Sequence, residues 1–189
     1  MASKIKVDQL ETADGSGTIA LQNQLSGMTT ASLPTVTTDK LGTGSVLQVQ
    51  SATWTGSVTT TSGTLAATGL SCSITPSSTS SKIVITVTGS DQTMSASDVG
   101  NLNSIYEKIG SGTATNLAGS GTNNAMQTCY ENVGGTWLSM PICMQKLTTP
   151  NTTSECTYYY YFATRDNGNT SKVNMFGGET NMTLMEIAG

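Results

Sequence analysis

No histidine occurs among the 189 residues. Its absence removes the usual general base at neutral pH, the Ser-His-Asp and Cys-His nucleophile systems, and every metal site built on imidazole. Charge is scarce as well, at 11% of residues against roughly 25% in an average soluble domain. The 8 Lys and Arg residues form no cluster and the net charge is −4, so the footprint of a nucleic-acid binder is missing and no DNA or RNA partner is expected. No apolar run approaches the ~20 residues of a membrane helix, and Met1–Val7 lacks the apolar stretch of a signal peptide. Synthesis in a cytosol without membrane insertion is therefore expected. Cys72, Cys129, Cys143 and Cys156 contain no CxxC pair, so in a reducing compartment they read as free thiols acting as small buried apolar groups.

Ser, Thr, Asn and Gly stand where Lys and Glu would normally sit. Thr is β-branched and favours strands, while 20 glycines and abundant Asn suit turns, so the composition argues for an all-β protein. Periodicity is clearest between Ser45 and Val87. In Lys82–Gly89, Ile83, Ile85 and Val87 share one face and Val84, Thr86 and Thr88 the other. Leu70, Cys72 and Ile74 alternate likewise, and the Pro-Ser-Ser-Thr-Ser-Ser block between these runs predicts two partner strands joined by a turn. Further strands are predicted at Val46–Gln50, Thr53–Thr61, Leu102–Ile109, Met126–Val133, Trp137–Leu147, Cys156–Ala163, Lys172–Phe176 and Met182–Ile187, with Ser90–Asn101 as a loop. Gly134-Gly135 and Asp166-Asn167-Gly168-Asn169 read as hairpin-type connections.

Tyr158, Tyr160 and Phe162 fall on one face of their strand and Tyr159 and Tyr161 on the other. The last strand is also apolar on both faces, with Leu184 on one and Ile187 on the other. Strands of this kind need cover on both sides, so Tyr158, Tyr160, Phe162, Leu184 and Ile187 are assigned to core or trimer packing. The tyrosine run could also serve as a sugar-stacking platform; burial is the preferred reading.

Three segments follow: an arm (1–25), a Thr/Ser/Ala/Gly linker (26–44) and a β-sandwich head (45–189). In the arm, Ile5 with Val7 and Ile19 with Leu21 flank an Asp14-Gly15 turn signal, and Lys4 and Lys6 alternate with the first pair. Four apolar side chains cannot hold such a segment folded alone, so Lys4, Ile5, Lys6, Val7, Ile19 and Leu21 are expected to dock on a partner protein.

The opening SKIKVDQLETADGSGTI, the SVLQVQ strand, the GLSCSITPSSTSSKIVITVTGS block and the closing NMTLMEIAG resemble the fibre and appendage proteins of tailed bacteriophages of the marine type. The resemblance runs over most of the chain, with ITPSSTSSKI its most specific block, and leaves 90–149 unmatched. It implies an antiparallel sandwich or jelly-roll head, a homotrimer, on a slender N-terminal attachment segment exposed on a virion. Other virion proteins of tail, neck or capsid would then be partners, with a host surface glycan or receptor as a further one. The long shaft of most relatives is missing, which favours a short fibre, a neck appendage or a capsid decoration protein.

A polysaccharide depolymerase would need a carboxylate pair, for which Glu107, Glu131, Glu155 and Glu179 are available with Asp91, Asp98 and Asp166. Carboxylates on strand edges more often blunt the edge, so no enzyme is expected. The Gly-Ser-Gly triplets at 15–17, 110–112 and 119–121 continue into no phosphate-loop pattern and read as turns. Asp98 and Asp166 lack the spacing of a calcium loop, and no cofactor or metal is expected.

Overall fold

A computed structural model of the chain describes residues 41–94, 99–119, 124–131, 138–166 and 168–189. The docking arm with Lys4, Ile5, Lys6, Val7, Ile19 and Leu21, the Asp14-Gly15 turn, most of the linker, Trp137 and the Gly134-Gly135 pair lie outside the described residues.

Among the described residues every regular element is a strand, in keeping with the β-branched composition. In chain order they are β1 (Val46–Trp54), β2 (Val58–Thr60), β3 (Ala66–Ile74), β4 (Lys82–Met94), β5 (Val99–Ile109), β6 (Thr115–Asn116), β7 (Gln127–Glu131), β8 (Leu138–Thr148), β9 (Cys156–Thr164), β10 (Ser171–Val173) and β11 (Thr180–Ile187). One sheet has the order β1-β11-β4-β10-β2 with β8 on the far side of β4; the other has β3-β9-β5-β6 with β7 also on β5.

The long strand β4 explains the first sheet. Its first part pairs with β11 and its last residues with β10, so β10 and β11 lie end to end on one side of it while β8 runs along the other. β1 and β2 in turn lie end to end beside β11 and β10. β7 and β6 share one side of β5 in the same way. Treating each of these three interrupted pairs as one run leaves eight runs, and they nest: the first pairs with the last, the second (β3) with the seventh (β9), the third (β4) with the sixth (β8), the fourth (β5) with the fifth (β7 and β6). All ladders are antiparallel.

Alternation places one side of every strand between the sheets. Ile83, Ile85 and Val87 of β4, Ile142 and Met144 of β8 and Met182 and Leu184 of β11 meet Leu70, Cys72 and Ile74 of β3, Ile105 of β5 and Tyr158, Tyr160 and Phe162 of β9 in one core. Those of β3, β4, β9 and β11 are the alternate residues that the sequence assigns to one face, and all of these core residues are under a tenth exposed. The core tyrosines carry hydroxyls that cannot be buried unpaired. β5 answers them from its own inward face, where Asn103 Oδ1 accepts from Tyr160 at 2.6 Å and Glu107 Oε1 from Tyr158 at 2.8 Å. Burial pushes both phenols far above their ordinary range, with the Glu107 charge adding to Tyr158.

Several expectations are corrected. The runs at 70–74 and 82–89 are strands but not partners, because β3 and β4 belong to opposite sheets and the Pro-Ser-Ser-Thr-Ser-Ser loop crosses between them. The connections into β8 and from β9 to β10 likewise change sheet and close no hairpin. Residues 90–94 and 99–101 extend strands instead of forming a loop. β10 stops at Val173, leaving Phe176 in a loop with 71% of its surface exposed. Cys72, Cys129 and Cys156 are buried as expected, but Cys143 is exposed; burial raises the Cys72 thiol and lifts Cys156 to about 11, with Glu107 and Glu155 contributing.

Two glycines are placed by close packing. Gly69, at φ +110, bulges β3 next to the indole of Trp54, where the register shifts between Ala67 and Ser71. Gly89 sits where β4 breaks register with β8; a methyl group there would lie 2.6 Å from Thr180 Oγ1.

Candidate functional site

Three features of the head can be built from residues upward. The first is a buried carboxylate. Glu186, on the inward side of β11, has no exposed surface. Its Oε1 accepts from the Ser77 backbone N–H and hydroxyl, both at 2.7 Å, and from the Ser81 hydroxyl at 2.6 Å, while Oε2 accepts from Gln48 Nε2 at 2.6 Å. Burial pushes the carboxyl up, but the hydrogen bonds from Ser77, Ser81 and Gln48 outweigh it and hold it below its ordinary value. Gln48 also donates to the Thr75 carbonyl at 2.7 Å. The Ser-rich β3–β4 loop is thus tied to β1 and β11 by one anion. The start and the end of the head meet at the same place: Gly44 N–H donates to the Ala188 carbonyl at 2.8 Å and Ala188 N–H to the Ser45 carbonyl at 2.9 Å. We call this end of the sandwich the base.

The second feature lies on the outer face of the first sheet near the base. Register aligns Val49, Met185 and Val84 with Leu147 in one row across β1, β11, β4 and β8. Val46 and Ile187 extend it toward the base. Val46, Val49 and Leu147 are 52, 54 and 55% exposed, so the row is open in a single protomer. The next row is Ser51, Thr183, Thr86 and Gln145, which is polar and uncharged.

The third feature is on the outer face of the second sheet. Tyr106 of β5 stacks on Tyr161 of β9 at 3.9 Å between ring centres and 15° between planes, and Tyr159 meets Tyr161 edge-on at 6.5 Å. Burial raises the Tyr106 phenol, with Tyr161 adding and Asn116 opposing. Asn116 also holds residues 118 and 124, donating to the Asn124 carbonyl at 2.6 Å and accepting from Ala118 N–H at 2.9 Å. Between Asn124 and residues 63–65 opens a depression of about 410 Å³ lined by Thr64, Leu65, Leu102, Tyr106, Asn124 and Arg165. The Arg165 guanidinium lies 4.6 Å from the centre of the Tyr130 ring. Arg165 follows the end of β9 away from the base, and its N–H donates to Gly100 O.

Of the residues assigned to core or trimer packing, Tyr158, Tyr160, Phe162 and Leu184 are buried within one protomer, whereas Ile187 joins the outer apolar row. Glu186, Ser77 and Ser81 were missed as a site because loop serines and one late glutamate share no local pattern. Their only signal was that the two stretches occur in the same resembling set. Among the carboxylates considered for glycan cleavage, Glu107 is engaged by Tyr158 and, at 3.4 Å, by Thr148. No group of three or more His, Cys, Asp or Glu side chains able to hold a metal occurs among the described residues.

Fold and surfaces define an antiparallel β-sandwich protein. No family model matches the sequence. No curated protein matches it either. Two solved structures of infectious bursal disease virus, the Gx and Gt strains, are similar at 13% and 15% identity, covering 82% and 83% of this chain and 41% and 43% of theirs, each with a TM-score of 0.34. This chain therefore spans less than half the length of those viral chains, and at that score the likeness carries no argument about fold or role.

Proposed function

We propose that the protein is a virion structural protein, a short phage fibre or appendage with a jelly-roll head, trimeric and docked by its N-terminal segment. The observation that carries this reading is the convergence of the blocks that bear the phage resemblance. SVLQVQ, NMTLMEIA and KIVITVTG form the adjacent strands β1, β11 and β4, and the ITPSSTSS loop closes over them through Glu186. These separate blocks of sequence make up one structural unit at the end where residues 42–45 join the head. Eight nested runs folded into two sheets are what a jelly roll requires, and the exposed apolar row on the same strands supports packing against further copies. In this reading the protein binds and builds, and it catalyses nothing.

The test is deletion of residues 1–25 in the phage that encodes the chain. Melting of the head should stay nearly unchanged while the truncated protein disappears from purified particles. Absence of the full-length protein from virions, or normal incorporation of the truncated form, overturns the reading. Incorporation at capsid sites instead of tail or neck would identify a decoration protein.

A further inference from the structure

We infer that the depression on the outer face of the second sheet is a saccharide-binding site selective for sugars that carry a carboxylate, with Tyr106 as the stacking surface and Arg165 as the anion-binding group. The reading stands on the head alone and does not depend on where the protein is mounted. A volume of about 410 Å³ falls within the range of small-ligand sites. Its lining is mostly polar (Thr64, Asn124, Arg165) around one aromatic ring and Leu65, with Leu102 nearly buried beneath, the arrangement that suits a hydroxyl-rich ring with a C–H face. Tyr106 is held rigidly by its stack on Tyr161, so little side-chain freedom remains to be lost when a ligand lies against it.

Selectivity for an acid comes from Arg165. Its guanidinium is positioned by the face of Tyr130, a contact that orients the plane without neutralising the charge. The fork of N–H donors therefore stays available for a carboxylate, which it matches in two-point geometry. The location agrees: Arg165 lies beyond the end of β9 remote from the base, away from the contact of Gly44 and Ser45 with Ala188 and from the apolar row. The four consecutive tyrosines thus divide their work, Tyr158 and Tyr160 filling the core and Tyr159 and Tyr161 building this face.

The experiment is a titration of isotope-labelled full-length protein, followed by NMR, with trigalacturonic acid, 3′-sialyllactose and neutral maltotriose at millimolar concentration. At least one acidic sugar should shift resonances of Thr64, Leu102, Tyr106, Asn124 and Arg165, with affinity roughly tenfold above that of maltotriose. Arg165→Gln should remove that advantage with at most a small fall in melting temperature, since the side chain is exposed and loses only its contact with Tyr130, and Tyr106→Leu should weaken all binding. Shifts scattered outside the depression, equal affinity for neutral and acidic sugars, unchanged affinity in Arg165→Gln, or no binding of either acidic sugar each overturns the inference.

Discussion

Glu186 concentrates four hydrogen bonds on one carboxylate with no exposed surface, and three of its donors belong to the β3–β4 loop. Glu186→Gln keeps the shape but turns an amide N–H₂ toward a donor, either Gln48 or the serines. It should cost about 1–3 kcal/mol in denaturant unfolding. The sign of the pH effect follows from the lowered folded-state value: the stabilisation is fully present above the unfolded carboxyl value of about 4.3 and is lost as pH falls through the folded one. Unfolding free energy measured from pH 6 downward to about pH 3 should therefore fall less steeply in Glu186→Gln than in the parent; identical acid limbs would show that Glu186 carries none of the linkage. At this scale the sequence was readable wherever a residue's neighbours decide its face. Tyr158, Tyr160 and Phe162 separate from Tyr159 and Tyr161 by period 2 alone. Glu186 was not readable, because its partners arrive from 105 to 138 positions away.

At the level of elements, the positions of strands were legible but their partners were not. Alternation located β3, β4, β9 and β11, and Gly, Pro, Ser and Asn located the breaks between them. Turn chemistry reports that the chain reverses; it does not report whether the reversal stays in one sheet or crosses to the other. Here the Pro76–Ser81 loop and the 165–170 connection both cross. Only register and the core settle which. Ile83 to Val87 need an apolar face opposite, and β3 supplies it across the sandwich and not beside β4. The break in β4 near Gly89 is an equally non-local feature. Thr180, pressed against Gly89, donates to Asn174 Oδ1 at 2.8 Å, while Asn174 Nδ2 donates to the Trp54 and Gly56 carbonyls at 3.2 and 3.1 Å. The interruptions between β1 and β2 and between β10 and β11 are thus joined beside that of β4. Gly89→Ala puts a methyl group 2.6 Å from Thr180 Oγ1 and 3.2 Å from the Ile142 side chain, so it should destabilise by about 1–3 kcal/mol. Restoration of stability by Gly89→Ala combined with Thr180→Ser, which keeps the hydroxyl and its clash, would argue against the oxygen as the obstacle; recovery with Thr180→Ala would argue for it, less the lost hydrogen bond.

For the whole molecule the decisive quantity is the apolar surface a single copy leaves open. Val49, Met185, Val84 and Leu147 reach from one edge of the first sheet to the other, bordered on one side by the uncharged row of Ser51, Thr183, Thr86 and Gln145 and on the base side by Ile187 beside the exposed Lys82. A monomer gains nothing from three side chains more than half exposed in such a band, whereas copies packed through it would recover roughly 1.5–3 kcal/mol for each large side chain fully buried, before the cost of association. On the proposed trimer, the full-length protein should scatter light as three chains per particle. Leu147→Asp places a charge in the row at a site 55% exposed, where the protomer can hydrate it, so strand content and the two-sheet fold should persist while the particle falls to one chain. Val49→Asp, on the opposite edge strand, should do the same, because each copy needs the whole row. A parent protein that runs as a monomer across micromolar concentrations would overturn the trimer, and a trimer indifferent to both substitutions would remove the row from the assembly.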